Sequence, residues 1–218
     1  MKLLAVRMAR SIWLIPRYFL NPKGVDIRPA FDGLKTRYNF LKTPFDSPAS
    51  AMQGGELKFE HGVFSGKNGP VQILTLTLFA DGLVVDTRSS TEDGDAFLED
   101  ATSWISKEFG LPLYTELPIK RIYASEINLI FEKIPKILDP QLAPFLKEAS
   151  EVIGDKKIGK TEFIGLQIGT DPALSETPKM FRFEREINTP FEQNRYYSSA
   201  PIKTEAHLKL LEKLDEVT

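Results

Sequence analysis

The sequence predicts an α+β fold in which an antiparallel sheet of β-meanders carries helices packed on one face. Polar and apolar residues alternate from 56 to 88 around the turn signals Asn68-Gly69 and Asp81-Gly82, a pattern typical of antiparallel strands joined by tight turns. Apolar residues at helical spacing follow from 97 to 109, which indicates an amphipathic helix. The same strand–strand–strand–helix order recurs over 161–217, and such segregated elements favour a sheet covered on one side.

The first twenty residues fit two structures. Apolar residues at helical spacing, with basic residues off that face, indicate an amphipathic helix. Ser11–Ile15 also fits a buried strand that Pro16 ends, and we favour the strand. A helix is predicted over 29–40, because Pro29 suits a first helical turn. Residues 43–55 are rich in Pro, Ser and Gly and are predicted to form a loop.

Three strands and a helix are predicted next. The segment 57–63 alternates in polarity, with Leu57, Phe59, His61 and Val63 on one side. Val71–Phe79 is mostly apolar or threonine on both faces and suits an interior strand, and Leu83–Arg88 follows the second turn. A serine–threonine pair at 90–91 offers an N-cap for a helix that Gly110 ends.

The second half of the chain is predicted to repeat this arrangement. A strand is predicted over Ile119–Phe131, and Asp139-Pro140 then opens a helix that extends to 153. The remaining predicted elements are three strands and a last helix: Glu162–Ile168, Met180–Ile187, Arg195–Ser199, and a helix capped by Thr204. We predict one domain over 1–218, with the alternative of two similar βββα halves at 1–110 and 111–218.

The composition excludes several classes of protein. The 218 residues include no cysteine, which rules out disulfide scaffolds, thiolate metal sites and a cysteine nucleophile. Hydrophobic residues at 42% and charged residues at 27% are typical of a folded globular chain. No apolar run approaches the roughly 20 residues that span a bilayer, and Arg7, Arg10 and Pro16 interrupt the only stretch that resembles a signal peptide. We therefore expect a cytoplasmic, intracellular protein without a membrane partner.

Charge is distributed unevenly along the chain. Residues 1–45 carry nine basic and two acidic residues, whereas the remainder carries 19 basic and 28 acidic residues. The net charges of +7 and −9 indicate either an anionic partner for the N-terminal part or its docking on an acidic surface. That surface belongs either to this chain or to a neighbouring copy.

One nucleotide-binding motif is matched in form. Its residues Gly154, Gly159, Lys160 and Thr161 fit the P-loop pattern G-x-x-x-x-G-K-[ST], in which backbone amides and the lysine hold phosphate and the hydroxyl holds Mg²⁺. A P-loop follows a strand and opens a helix. Here the predicted order is reversed, which favours a helix end followed by a basic turn.

Other catalytic or metal-binding signatures are absent from the sequence. Two histidines and no cysteine argue against a zinc or iron site, and we expect no cofactor. His61 is interpreted as a hydrogen-bonded core residue and His207 as a solvated one. The acidic residues at 92–100 lack the spacing of a calcium loop and suit the first turns of a helix. There is no G-x-S-x-G, H-E-x-x-H or G-x-G-x-x-G motif. An enzyme whose active site consists of carboxylates stays an alternative, because such a site often leaves no short motif.

These observations favour a non-enzymatic protein-interaction or assembly subunit that binds a protein partner or a second copy of itself. The N-terminal segment is the candidate contact, because aromatic and arginine residues are frequent anchors of interfaces. The candidate partner-binding residues are Arg10, Trp13, Arg17, Tyr18 and Arg28. One alternative is a nucleic-acid-associated protein that uses the same basic segment, and another is a nucleotide-binding enzyme that uses the P-loop match.

Overall fold

Eight strands form one antiparallel sheet in the computed structural model, which describes residues 1–44, 56–132, 143–153, 164–171, 173 and 179–216. The strands follow the order β2-β3-β4-β1-β5-β8-β7-β6 across the sheet. Their bounds are β1 Lys2–Leu14, β2 Leu57–Gly66, β3 Gly69–Phe79, β4 Gly82–Thr87, β5 Lys120–Ile130, β6 Gly165–Gly169, β7 Met180–Arg185 and β8 Arg195–Ala200. The predicted α+β class is confirmed.

Five α-helices accompany the sheet in the described part of the chain. Their bounds are α1 Arg17–Leu20, α2 Arg28–Tyr38, α3 Thr91–Phe109, α4 Ala143–Ile153 and α5 Thr204–Glu216. Helix α3 begins and ends as predicted, since the Ser90 side chain accepts a hydrogen bond from the Asp93 amide and Gly110 adopts a left-handed conformation at φ 70°. The predicted cap of α4 at Asp139-Pro140 lies outside the described residues, as does most of the predicted loop 43–55.

The predicted recurrence of three strands and a helix is confirmed in the order of elements. Read inward from its two edges, the sheet runs β2-β3-β4-β1 and β6-β7-β8-β5. Strands β4 and β8 have the same length, and the first residues of the helices that follow them, Thr91 and Thr204, are 113 positions apart.

The chain divides into two compact units, which we call the larger unit (Val6–Glu126 and Pro201–His207) and the smaller unit (Met1–Ala5, Ile127–Ala200 and Leu208–Thr218). In the larger unit, helices α2 and α3 pack against the sheet around a cluster of aromatic side chains. Phe40 lies at its centre, with ring-centroid distances of 5.3 Å to Phe59 and 6.4 Å to Phe97.

Strand β1 is an interior strand that lies between β4 and β5. It pairs with β4 from Ala9 to Leu14, and Ala9, Ser11 and Trp13 are fully buried on its helix-facing side. The predicted strand Ser11–Ile15 is therefore confirmed and longer than predicted, and the alternative of an amphipathic helix is wrong. Backbone pairing on both sides makes this segment part of the folded body.

The two histidines occupy environments opposite to those predicted. His61 has a positive φ of 58°, and this irregularity shifts the alternation of β2 so that Phe59 and Gly62 are buried while His61 and Val63 are exposed. His207 is fully buried in α5, where burial lowers its pKa to about 4. Its side chain follows Thr204 by three positions, so both lie on the buried stripe of the helix.

The first residues of α3 and α5 form hydrogen bonds with each other's backbone amides. The Thr91 amide donates to the Thr204 hydroxyl at 3.0 Å, and the Thr204 amide donates to the Thr91 hydroxyl at 2.9 Å. The first amides of a helix have no partner within that helix, so this reciprocal pair satisfies one such amide in each helix, in addition to the Ser90 cap of α3. The prediction that Thr204 caps its own helix is wrong, because Thr204 is the first helical residue and its hydroxyl serves the other helix.

The smaller unit has its own apolar core. Stacked aromatic rings form its centre, with Phe183 4.6 Å from Tyr196 and 5.3 Å from Phe131 between ring centroids. Leu211 of α5 is fully buried against them. The predicted strands over 180–187 and 195–199 and the last helix are thus confirmed at their positions.

Deleting residues 1–14 is expected to abolish cooperative folding, because the deletion removes an interior strand and the buried Trp13. Circular dichroism and urea unfolding measure the effect. Tyr18→Ala is the control, since Tyr18 is 71% exposed and its removal should change the free energy of unfolding by less than about 0.5 kcal/mol. A deletion variant that unfolds cooperatively would restore the N-terminal segment as a separable contact element.

Stability is expected to fall as the pH drops from about 6.5 to about 4. His207 takes up a proton near its ordinary pKa of 6.5 when unfolded, but only near 4 when folded, so acid favours the unfolded chain. The contribution of His207 amounts to about 3 kcal/mol at pH 4 relative to pH 7. Urea unfolding of wild type and His207→Gln at both pH values measures it, and an identical pH dependence in the two proteins would contradict this role.

Candidate interaction surface

The five candidate N-terminal residues are spread over different environments. Trp13 is fully buried and donates its indole N–H to Asp95 at 3.0 Å, so in this structure it belongs to the core. Arg10 lies on the opposite face of β1 and forms a bidentate pair with Asp86 at 2.6 and 2.9 Å. The side chains of Trp13 and Arg10 therefore lie on opposite faces of β1, each with a partner in this chain.

The other candidates lie on short connecting elements. Tyr18 in α1 is 71% exposed, and Arg28 at the start of α2 is exposed and bound to Asp26. The side chain of Arg17 lies outside the described structure. Tyr18 and Arg28 are thus exposed at the surface. Trp13 and Arg10 on β1 instead contact Asp95 and Asp86 of the same chain.

Much of the positive charge in the first 45 residues is neutralised within the larger unit. Four ion pairs join basic residues of this segment to carboxylates: Arg10–Asp86, Arg28–Asp26, Arg37–Asp100 and Lys42–Glu60. Three of these carboxylates, Asp86, Asp100 and Glu60, lie in the acidic part of the chain after residue 45. Acidic residues of the same chain thus balance part of the positive charge of this segment.

A buried carboxylate organises the charged residues around Trp13. Asp95 of α3 accepts hydrogen bonds from the Trp13 indole at 3.0 Å and from the Tyr123 hydroxyl at 2.8 Å. Lys203 lies 3.3 Å and Arg121 3.7 Å from the same Asp95 oxygen as Tyr123. The Arg121 guanidinium also lies 4.5 Å from the Trp13 ring centroid, a cation–π contact.

The protonation states of Tyr123 and Lys203 suit a structural role better than a catalytic one. Burial and the hydrogen bond to Asp95 raise the pKa of Tyr123. Burial alone would lower the pKa of Lys203, but the neighbouring Tyr123 and Asp95 outweigh it and raise that pKa. Tyr123 therefore stays protonated and Lys203 stays charged at neutral pH, the opposite of what a general base or an amine nucleophile requires.

The P-loop match lies outside the described residues, including Gly154, Gly159, Lys160 and Thr161. Its flanking elements are described. Helix α4 precedes the motif and strand β6 follows it, which confirms the predicted reversal of the strand–helix order that a P-loop requires.

Exposed apolar side chains are concentrated in the smaller unit. Nine of the twelve large apolar residues that are most exposed in the described structure belong to it. They are Leu3, Leu4, Phe145, Val152, Ile164, Ile168, Met180, Ile187 and Leu210. These residues lie on or beside β1, α4, β6, β7 and α5, and single exposed apolar side chains are common in folded chains.

Strand β6 is an edge strand, and among the described residues no strand pairs with its outer side. It pairs with β7 through Leu166 opposite Phe183, and the Arg185 amide donates to the Ile164 carbonyl at 2.7 Å. Hydrogen-bonded residues alternate along an antiparallel strand. Even-numbered residues of β6 thus bond to β7, and the backbone groups of Gly165, Gln167 and Gly169 point away from it.

The two edges of the sheet differ in their protection. Strand β2 carries charged Lys58 and Glu60, is irregular at His61, and is bridged along its outer side where Leu41 and Lys42 bond to Glu60. Charges and irregularities of this kind keep edges from pairing with other chains. Strand β6, of sequence GLQIG, has neither a charged residue nor a proline. We call the outer side of Gly165–Gly169 the β6 edge.

Sequence reasoning identified the β6 segment as a strand but did not identify it as a site. The segment is short and uncharged. The sequence of a strand does not by itself show whether the strand lies at the edge or in the interior of a sheet. The one available signal was the symmetry of GLQIG about Gln167, which acquires meaning only once the strand is known to lie at an edge.

Comparisons of this chain with family models, curated proteins and solved structures found no match. Within the described residues, no helix is long and apolar enough to cross a membrane. The same described ranges hold no group of three or more histidine, aspartate or glutamate side chains arranged to bind a metal ion.

Asp95→Asn is expected to lower the free energy of unfolding by about 2 kcal/mol. The carboxylate only accepts hydrogen bonds, whereas an amide would direct a donor at the Tyr123 hydroxyl or the Trp13 indole. Glu99→Gln is the matched control one turn further along α3, where a half-exposed carboxylate bonds to Arg121 at 3.0 Å, and it should cost less than about 1 kcal/mol. Equal effects in urea unfolding would show that Asp95 has no special role.

Proposed function

We propose that this protein is an assembly subunit that associates with a second copy of itself through the β6 edge. The observation that carries this proposal is the symmetry of GLQIG at an unprotected sheet edge. When two such strands run antiparallel about Gln167, glycine lies opposite glycine, Leu166 lies opposite Ile168, and Gln167 lies opposite its own copy. A self-complementary strand is what a two-fold symmetric interface requires.

The backbone supports this pairing. Gly165, Gln167 and Gly169 direct their N–H and C=O groups outward from β7. In the symmetric register these three residues meet their equivalents as hydrogen-bonded pairs, which gives about six backbone hydrogen bonds between the copies. The two glycines leave the ends of the pairing free of side-chain obstruction.

The side chains support the same register. Leu166 and Ile168 share the face of β6 on which Phe183 and Phe181 lie in β7. Because the register about Gln167 joins even-numbered residues to even-numbered residues, the apolar faces of both copies fall on the same side. Ile168, which is 57% exposed in the single chain, would then pack against Leu166 of the second copy and continue the apolar face.

This proposal keeps the predicted class of function and moves its site. The N-terminal anchors Trp13 and Arg10 are used inside the larger unit, whereas the β6 edge lies in the smaller unit and offers unused backbone donors and acceptors. A second copy is favoured over an unrelated partner, because the edge sequence matches itself under two-fold rotation.

Gln167→Pro is expected to convert a dimer into a monomer without unfolding the chain. The Gln167 amide points away from β7, so proline removes a donor from the β6 edge but none from the β6–β7 ladder. Light scattering coupled to size-exclusion chromatography measures the mass, and wild type should give twice the 24.6 kDa of one chain. Circular dichroism verifies that the variant keeps its fold.

A pair of lysine variants provides the matched control. Ile168→Lys places a charge at the β6 edge and should also give a monomer. Val63→Lys makes the same change at a residue of similar exposure on the protected strand β2, and it should remain dimeric. A monomeric wild type at micromolar concentrations, or a dimer that persists in both Gln167→Pro and Ile168→Lys, would overturn the proposal.

A further inference from the structure

An apolar cavity of about 220 Å³ lies in the larger unit. It is lined by the β-strands, by helices α2 and α3, and by the chain around residues 111–117, and it is partly open to solvent. Fourteen of its sixteen lining residues are apolar, and the two exceptions are Asn21 and Thr102. Apolar surface that faces water is stabilised when an apolar group covers it, so this space suits an apolar ligand.

Both polar side chains of the cavity already form hydrogen bonds with the backbone. The Asn21 amide group donates to the Val25 carbonyl at 2.8 Å and accepts from the Val25 amide at 2.9 Å. The Thr102 hydroxyl donates to the Leu98 carbonyl of its own helix at 2.6 Å. Water is retained in a cavity only where it finds two to four polar partners. The cavity therefore favours an apolar occupant.

A second depression of about 220 Å³ adjoins this cavity and differs in character. The two spaces share Asn21, Leu111 and Pro112. The second one also contacts the charged residues Lys23 and Glu116. An apolar space thus continues into a polar one that carries one cationic and one anionic side chain, Lys23 and Glu116.

We infer that the larger unit binds a small amphipathic molecule, with an alkyl chain in the apolar cavity and an anionic end group near Lys23. An apolar cavity of about 150 Å³ accommodates benzene, so 220 Å³ corresponds to about nine non-hydrogen atoms. With its carboxylate outside the cavity, a linear carboxylate of nine or ten carbons fits this description. The site lies in the larger unit and is independent of the β6 edge, so either proposal can fail alone.

The first test is a chain-length series from hexanoate to dodecanoate on wild-type protein, measured by isothermal titration calorimetry. Each methylene that enters the cavity should raise the affinity about fourfold. The increase should stop near nine or ten carbons, because longer chains extend beyond the apolar lining. Absence of binding, or an affinity that keeps rising to dodecanoate as expected for adhesion to exposed apolar surface, would overturn the inference.

Two substitutions separate the parts of the site. Ala30 is 2% exposed and lines the cavity, so Ala30→Leu should fill the space and abolish octanoate binding, with thermal unfolding as the check of its fold. Ala5→Leu, outside the cavity, is the control and should bind as wild type does. Lys23→Ala should weaken octanoate about threefold and leave octanol unchanged. Octanoate binding by folded Ala30→Leu at wild-type affinity, or equal losses of octanoate and octanol in Lys23→Ala, would contradict the assignment.

Discussion

The buried carboxylate of Asp95 is the constraint on which the larger unit depends most. A charge with less than a tenth of its surface exposed is tolerated only when donors and cations surround it. Here the partners come from three other segments, through Trp13 on β1, Arg121 and Tyr123 on β5, and Lys203 before α5. The position of α3 is thereby tied to the register of two central strands and to the start of the last helix.

This arrangement explains why the N-terminal segment resembles a contact element when it is considered alone. Aromatic and basic residues close together are typical of interfaces, and they are equally suited to surround a buried anion. Trp13 and its neighbours recognise a carboxylate that lies 82 residues further along the chain. The segment does make an interface, but the interface is with its own protein body.

The two edge strands of the sheet, β2 and β6, occupy equivalent places in the repeated arrangement but differ in how well they are protected against pairing with another strand. Strand β2 is charged, irregular and bridged by Lys42, and it is closed to further pairing. Its counterpart β6 is short and uncharged, and no described strand pairs with the outer side of Gly165–Gly169. Equivalent positions in the two halves thus differ in how many of their backbone donors and acceptors the described residues use, the property on which the proposed association depends. The apolar cavity likewise lies in one unit only, as far as the described residues extend.

The sequence by itself determined the fold class, the order of the elements and most of their positions, because alternation, helical spacing and caps such as Ser90 and Gly110 are local properties. Tertiary structure alone decided the environments of single side chains. It exposed His61 through a backbone irregularity, buried His207 on the inner stripe of α5, and turned Trp13 inward to Asp95. Each outcome depends on contacts between residues distant in the chain, and such contacts leave no periodic signal in the sequence.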